Sequence, residues 1–338
     1  MERRKLLRGL AGVGLSSLVA PVDPLLDGNL WHGRGLGRGP SAWGAAEAAA
    51  REAGAPQSAS GADQAASKAV EGAAVPDLVI ARDRTPEELV KAAMEALGGM
   101  NRFISKGDKV LVKPNIGWDR TPEQAANTNP TVVRTLIDLC FASGAKSVLV
   151  VDYTCNEARR CYTRSGIAKA AEEAGAKVRH IDDNKFREMK IDGEVLKQWP
   201  VYSDFVEVDK LINVPIAKHH TLARLSLSMK NWLGAIGGSR NQLHQKLDES
   251  CVDLAAFFQP TLTVLDAVRI LKANGPQGGN LKDVEKLDTV AAGVDQVTID
   301  SFGATLFGYK GENLGSVRAA TKREFGQADL SKVLVANV

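Results

Sequence analysis

Val110-Leu111-Val112-Lys113-Pro114-Asn115 is the stretch on which the reading of the fold turns. Its three leading residues are aliphatic without alternation, the pattern of a strand buried on both faces rather than one with a wet side. Similar short β-branched or aliphatic runs recur at 78–81, 147–151, 177–181, 210–214, 261–265 and 289–294, and helical patterns fill the intervals. Strands alternating with helices specify an α/β protein, a mostly parallel sheet flanked by helices in Rossmann-like layers, with room for two lobes about a cleft.

Helix starts support this. Thr85-Pro86-Glu87-Glu88 offers a capping hydroxyl, a proline at the first helical position and a carboxylate able to reach back. Asn129-Pro130-Thr131 opens a second helix with Val132, Leu136 and Leu139 on its apolar face, and Gly144 closes it.

Open α/β sheets bind ligands beyond the carboxyl ends of their strands, so the residues that follow each strand carry the functional information. The first strand quoted runs into Lys113 and Asn115, 147–151 into Asp152, and 210–214 into Lys218, His219 and His220. Asp266 follows 261–265 and Asp295 follows 289–294, the latter in the place of a helix cap. Lys113 and Lys218 decide the matter, because a lysine cannot accept from a helix N-terminus and so serves no capping role. Two cations, an amide and a carboxylate facing one crevice suit a small anionic ligand, a carboxylate or a phosphate.

The densest segment is Lys230-Asn231-Trp232-Leu233-Gly234-Ala235-Ile236-Gly237-Gly238-Ser239-Arg240. Before it, Leu225, Leu227 and Met229 alternate as in a strand, while Leu222, Leu225, Met229 and Leu233 share a helical face, so the pattern leaves both open. Either way Lys230 and Asn231 precede glycines, Gly234, Gly237 and Gly238, whose backbone amides can cradle an anion. Of the adjacent histidines one at most faces a site, and His219 is taken as the candidate, with Asp152 and Lys230, for proton transfer. The loop Asn274-Gly275-Pro276-Gln277-Gly278-Gly279-Asn280 has the composition of a turn or a lid.

Ahead of this body stands a different composition. Residues 1–28 carry Arg3-Arg4-Lys5 and then a weakly apolar, Gly-rich run from 9 to 20, a pattern similar to a twin-arginine export signal. Ala20 is followed by Pro21 and position 18 is Leu, so no A-x-A cleavage site adjoins the run. The expectation is export by the twin-arginine machinery to the periplasm, or retention at the outer face of the inner membrane. Residues 29–76, rich in Ala, Gly and Ser, read as a flexible linker, and 77–338 as the folded body.

The formal net charge is +3, and the first forty residues supply all of it. A near-neutral body lacks the electrostatic footprint of a nucleic-acid binder. The four cysteines, Cys140, Cys155, Cys161 and Cys251, form no CxxC pair and no ferredoxin-type ladder. Cys155 and Cys161 are close enough in sequence for a short-loop disulfide in an oxidising compartment.

The runs Val110 to Asn115, Asn213-Val214-Pro215 with Lys218 and His219, Met229-Lys230-Asn231 with Gly234, and Asp266 with Gly275-Pro276 together resemble the domain of unknown function 362 family, over about residues 77–309. Many members of that family look like iron–sulfur proteins, some with a ferredoxin-like cysteine module and some with export signals. The resemblance implies an iron–sulfur cluster, or a redox partner that supplies one, although this chain lacks the module that would hold a cluster; separately, a metal ion bridging Asp152 and a histidine would change the chemistry of the crevice without moving it. A fainter likeness, in lysine and histidine use around a cleft, runs to lactate-racemase-type enzymes. These observations lead to an exported enzyme acting on a small anion held by Lys113, Asn115, Lys218, Lys230, Asn231 and Asp266. A non-catalytic binding or accessory protein and a redox protein are the alternatives.

Overall fold

The computed structural model describes residues 74–338, so the segments read as signal and linker lie outside the described residues apart from 74–76. Twelve strands occur among the described residues. In chain order they are β1 (Leu78–Arg82), β2 (Lys109–Pro114), β3 (Ser147–Val150), β4 (Lys177–Val178), β5 (Phe186–Lys190), β6 (Gln198–Tyr202), β7 (Lys210–Val214), β8 (Ile216–His220), β9 (Arg224–Ser226), β10 (Leu262–Leu271), β11 (Val284–Gly293) and β12 (Val335–Asn337).

The main sheet has the order β12-β1-β11-β10-β7-β2-β3-β4, with β8 and β9 attached beside β10. From β10 to β4 every neighbour is parallel, and β11 alone in that sheet's path runs against β1 and β10. The chain is therefore α/β with a mostly parallel, mixed sheet flanked by helices. β5 and β6 form a separate antiparallel hairpin.

Both faces of the sheet are buried, as the unalternating runs require. Leu78 and Ile80 of β1, Leu111 of β2 and Leu211 of β7 pack into one core, while Val79, Ala81, Val110, Val112 and Ile212 pack into the other. Helices α1 (Pro86–Ala96) and α2 (Pro130–Ala142) cover the second face. The predicted caps form as read: Thr85 and Glu88 make a capping box, and the Asn129 side chain accepts from the Thr131 amide. Short helices α3 (Ala158–Arg164) and α4 (Ile167–Glu173) follow β3, and α5 (Asp204–Glu207) precedes β7. Then α6 (Ser228–Asn231), α7 (Leu247–Phe258), α8 (Gln296–Thr305) and α9 (Gly315–Lys322) complete the helices used below.

Three sequence expectations change. The run 177–181 pairs over only two residues, β4 ending at Val178; the Arg179 amide still donates to the Val150 carbonyl while its side chain ion-pairs with Asp204. The runs 261–265 and 289–294 belong to strands twice as long, since β10 continues past the end of β7 and pairs onward with β8. Because β11 is antiparallel, its carboxyl end points away from the other strand ends. Asp295 there caps α8, accepting from the Val297 and Thr298 amides. Among the described residues no helix is long and apolar enough to cross a membrane.

Candidate functional site

Residues on adjacent strands fall into register at the carboxyl edge of the sheet. Lys113 of β2 stands opposite Asn213 of β7, and Asn213 opposite Thr263 of β10. Lys113 shares a strand face with Leu111, and Asn213 with Leu211, so this polar row prolongs an apolar layer of the core. All three side chains are fully buried. A buried polar group costs free energy unless it is paired; the pairing of Lys113 and Asn213 defines the site, while Thr263 Oγ1 has no hydrogen-bond partner among the described residues.

Lys113 Nζ lies 2.6 Å from Asp152 Oδ1 and donates to the Pro114 carbonyl at 3.1 Å, and Asp152 Oδ2 accepts from the Ile116 amide at 2.6 Å. Burial pushes the Lys113 ammonium below its ordinary range, opposed by the Asp152 charge beside it. The pair is closed off by Gly234, where a Cβ would stand 1.9 Å from Asp152 Oδ1 and 2.9 Å from Lys113 Nζ. Only a residue with no side chain fits there.

A chain of side-chain amides runs alongside. Lys218 Nζ donates to Asn115 Oδ1 at 2.9 Å and Asn115 Nδ2 to Asn231 Oδ1 at 3.0 Å. Asn231 Nδ2 then donates to Asn213 Oδ1 at 2.8 Å and Asn213 Nδ2 to the Ser228 carbonyl at 3.0 Å. Such a chain polarises in one direction and fixes each amide's orientation. Asp300 of α8 holds the start of α6, accepting from Ser228 N, Ser228 Oγ and Met229 N, and burial pushes its carboxyl up to about 7. That clamp sets where Lys230 and Asn231 project.

These groups border a cavity of about 390 Å³, within the size of small-molecule sites. Of the residues predicted from sequence, Asn115, Asp152, Lys218, Lys230, Asn231 and Gly234 line it, and Lys113 lies just behind Asp152. Arg240 joins them, its guanidinium 3.8 Å from the Tyr153 ring centroid. Among the described residues Asp152 is the only carboxylate in the wall, and Lys113 already neutralises it. Lys230 and Arg240 thus leave surplus positive charge facing the cavity, with the Lys218 amine beside them. The Lys230 side chain has no hydrogen-bond or ion-pair partner among the described residues, although the residue's carbonyl accepts from the Trp232 amide. Burial lowers its amine, and it pushes the Lys218 amine down to about 7, with the neighbouring Lys230 charge adding to the effect.

Four sequence expectations are corrected. His219 faces away and its Nδ1 accepts from the Gly275 amide, whereas His220 lines the cavity. Alternation along β8 allowed only one of them inward, and the adjoining loop selects which. His220 Nδ1 accepts from the Leu222 and Ala223 amides, and burial followed by the Lys230 charge takes the ring down to about 3, so it is neutral. Gly237 and Gly238 pack against the β5–β6 hairpin instead of the cavity, and the Gly237 amide donates to the Pro200 carbonyl. Asp266 binds the Asn129 and Val268 amides inside the sheet layer, away from the cavity wall. All four cysteines are free: Cys161 is buried on α3, while Cys155 is exposed in the cavity wall.

Sequence reasoning missed Asp300, His220 and the part played by Arg240. Asn213 carried a usable signal, as an amide inside an otherwise apolar strand. Among the described residues no three or more His, Cys, Asp or Glu side chains gather as a metal would require.

The family model described as "Domain of unknown function (DUF362)" matches residues 110–305, more than half of the chain. The chain belongs to the DUF362 family. The match spans the whole of the cavity wall, from Asn115 to Pro276. A thylakoid-associated protein of Synechocystis sp. is 24% identical over 219 residues, which are 62% of this chain and 66% of that protein. The solved structures it resembles include a lactate racemase apoprotein from Thermoanaerobacterium thermosaccharolyticum, at TM-score 0.38 and 11% identity over 62% of this chain and 53% of that one. A Thermotoga maritima protein is similar at TM-score 0.35 and 11% identity, covering 70% of this chain and 57% of that one.

Proposed function

We propose that this DUF362 protein is an exported enzyme whose cavity binds a small anion, a carboxylate or a phosphate. The observation that carries the reading is the charge balance of the wall: Lys230 and Arg240 face a space whose one carboxylate among the described residues, Asp152, is spent on Lys113. Desolvated cations without counterions are costly, and an anionic ligand offsets that cost. The Lys230 side chain, which has no partner among the described residues, and Arg240 hold the negative end. Asn115 and Asn231, locked by the amide chain, orient the polar remainder.

Proton transfer in this reading falls to Lys218 rather than to a histidine. His220 is neutral with Nδ1 occupied, while an amine near 7 can gain or lose a proton at working pH. Export rests on the twin arginines Arg3 and Arg4.

Thermal-shift measurements with inorganic phosphate, acetate, succinate and pyruvate, against ammonium and choline as cationic controls, test the proposal. At least one anion raises the melting temperature in a saturable way, and the effect disappears in Lys230→Met. Equal responses to anions and cations, or a response unaltered by Lys230→Met, overturn it.

A further inference from the structure

We infer that Lys218 is a nucleophile that condenses with the ketone carbonyl of a small 2-oxo acid, the acid's carboxylate being held by Lys230 and Arg240. This inference rests on the anion-binding reading and narrows its ligand to one class.

Lys218 is only 2% exposed, and its Nζ has two acceptors, Asn115 Oδ1 at 2.9 Å and the Ala126 carbonyl at 2.6 Å. Both are neutral, and no carboxylate among the described residues lies within ion-pairing distance. An ammonium would bring three N–H groups and a full charge to this place, leaving one donor unmatched and the charge uncompensated. A neutral amine brings two N–H groups for two acceptors and keeps one lone pair free. Because Lys218 also lines the cavity, that lone pair is available to a bound ligand.

Lys113 makes the contrast. It is equally buried, yet it is paired at 2.6 Å with Asp152, whose charge opposes the effect of burial. One buried lysine has a carboxylate partner and the other has none among the described residues. Desolvation together with an adjacent cation is how a lysine is activated as a nucleophile, and the Lys230 charge acts on Lys218 in that sense.

The step balances without a redox partner. The Lys218 lone pair forms a C–N bond to the carbonyl carbon while the carbonyl π pair moves to oxygen. A proton passes from nitrogen to that oxygen, giving a carbinolamine. One further proton, taken from solvent, lets the hydroxyl leave as water. The product is an iminium whose remaining N–H can donate to Asn115 Oδ1 or the Ala126 carbonyl.

The test uses the whole chain with pyruvate and sodium cyanoborohydride, whose hydride reduces an iminium to a stable secondary amine. Tandem mass spectrometry then locates the adduct, and pyruvate binding without reductant is measured in parallel by calorimetry. At neutral pH an amine titrating near 7 has on the order of a thousandfold more neutral form than an ordinary lysine. The expected result is one adduct per chain at Lys218, its rate rising as pH passes through about 7. Lys218→Arg abolishes it, and because wild-type mapping already identifies the site, the conclusion does not depend on that variant folding. Calorimetric binding of pyruvate with no adduct, or with adducts spread over surface lysines or placed on Lys230, overturns the inference and leaves the anion-binding reading intact. Binding of phosphate, acetate or succinate without pyruvate does the same. Absence of binding by all of these anions overturns both.

Discussion

Replacing Gly234 by alanine strikes the site at its tightest point. The added Cβ would stand 1.9 Å from Asp152 Oδ1, where real Cβ contacts essentially never fall below 3.0 Å. The carboxylate must therefore retreat by at least about 1 Å, a distance comparable with the tolerance of a hydrogen bond. It cannot do so freely, since Lys113 Nζ and the Ile116 amide each hold it at 2.6 Å. Displacing one partner of a fully buried pair leaves an uncompensated charge, which costs roughly 3–5 kcal/mol when the pair is lost outright. Backbone movement at 234 relieves part of this, so the expected loss is about 3 kcal/mol. With a urea slope of about 1–3 kcal/mol per molar, the unfolding midpoint falls by about 1 M or more. Equilibrium urea unfolding followed by circular dichroism is the assay. A midpoint within a few tenths molar of wild type would mean that Gly234 does not seal the Lys113–Asp152 pair, and the geometry argued for the cavity floor would be wrong.

Other outcomes follow from the same contacts. Lys218 titrates lower in the folded chain, about 7, than its ordinary 10.5, so the unfolded chain binds the extra proton between those values; stability from this group rises as pH climbs from about 7 to 10.5, by at most about 1.4 kcal/mol per pH unit, and Lys218→Met removes that slope in pH-dependent urea melts. Asp300 shifts the other way, to about 7, so its contribution falls as pH rises from about 4 to 7, and Asp300→Asn flattens that portion of the curve. Asp253 of α7 accepts from the Glu194, Val195 and Leu196 amides and ion-pairs with Arg323, so Asp253→Ala costs about 3–5 kcal/mol in unfolding experiments while leaving no direct mark on the cavity. Changing Arg3 and Arg4 together to lysine keeps the precursor in the cytoplasm, as cell fractionation would report.

The buried strands were legible because a fully covered strand has no wet face to encode, so the cores of β1 and β2 are plain aliphatic runs and that of β7 is broken only by Asn213. The lysines Lys113 and Lys218 were legible for the complementary reason: neither can act as a cap, and both follow such runs. The β5–β6 hairpin was not, since its residues are half exposed and carry charges that hide the alternation. Nor was the choice between His219 and His220, which the distant Gly275 amide makes by occupying His219 Nδ1. Asp266 and Asp295 show the limit of counting carboxylates after strands: strand direction and backbone amides, which sequence does not display, assign both to structural work. The segment 225–233 reads as strand and helix at once because it is both, β9 ending at Ser226 and α6 beginning at Ser228.

The most direct measurement is isothermal titration calorimetry of phosphate, succinate and pyruvate into the wild-type chain and into Lys230→Met. Saturable heat with at least one of these anions, and a loss of about tenfold or more in affinity with the variant, is the predicted result, since an unshared cation in a desolvated wall contributes at least about 1.4 kcal/mol to holding an anion. Heat that is absent for every anion, or identical in the two chains, contradicts the claim that surplus positive charge makes this cavity a binding site.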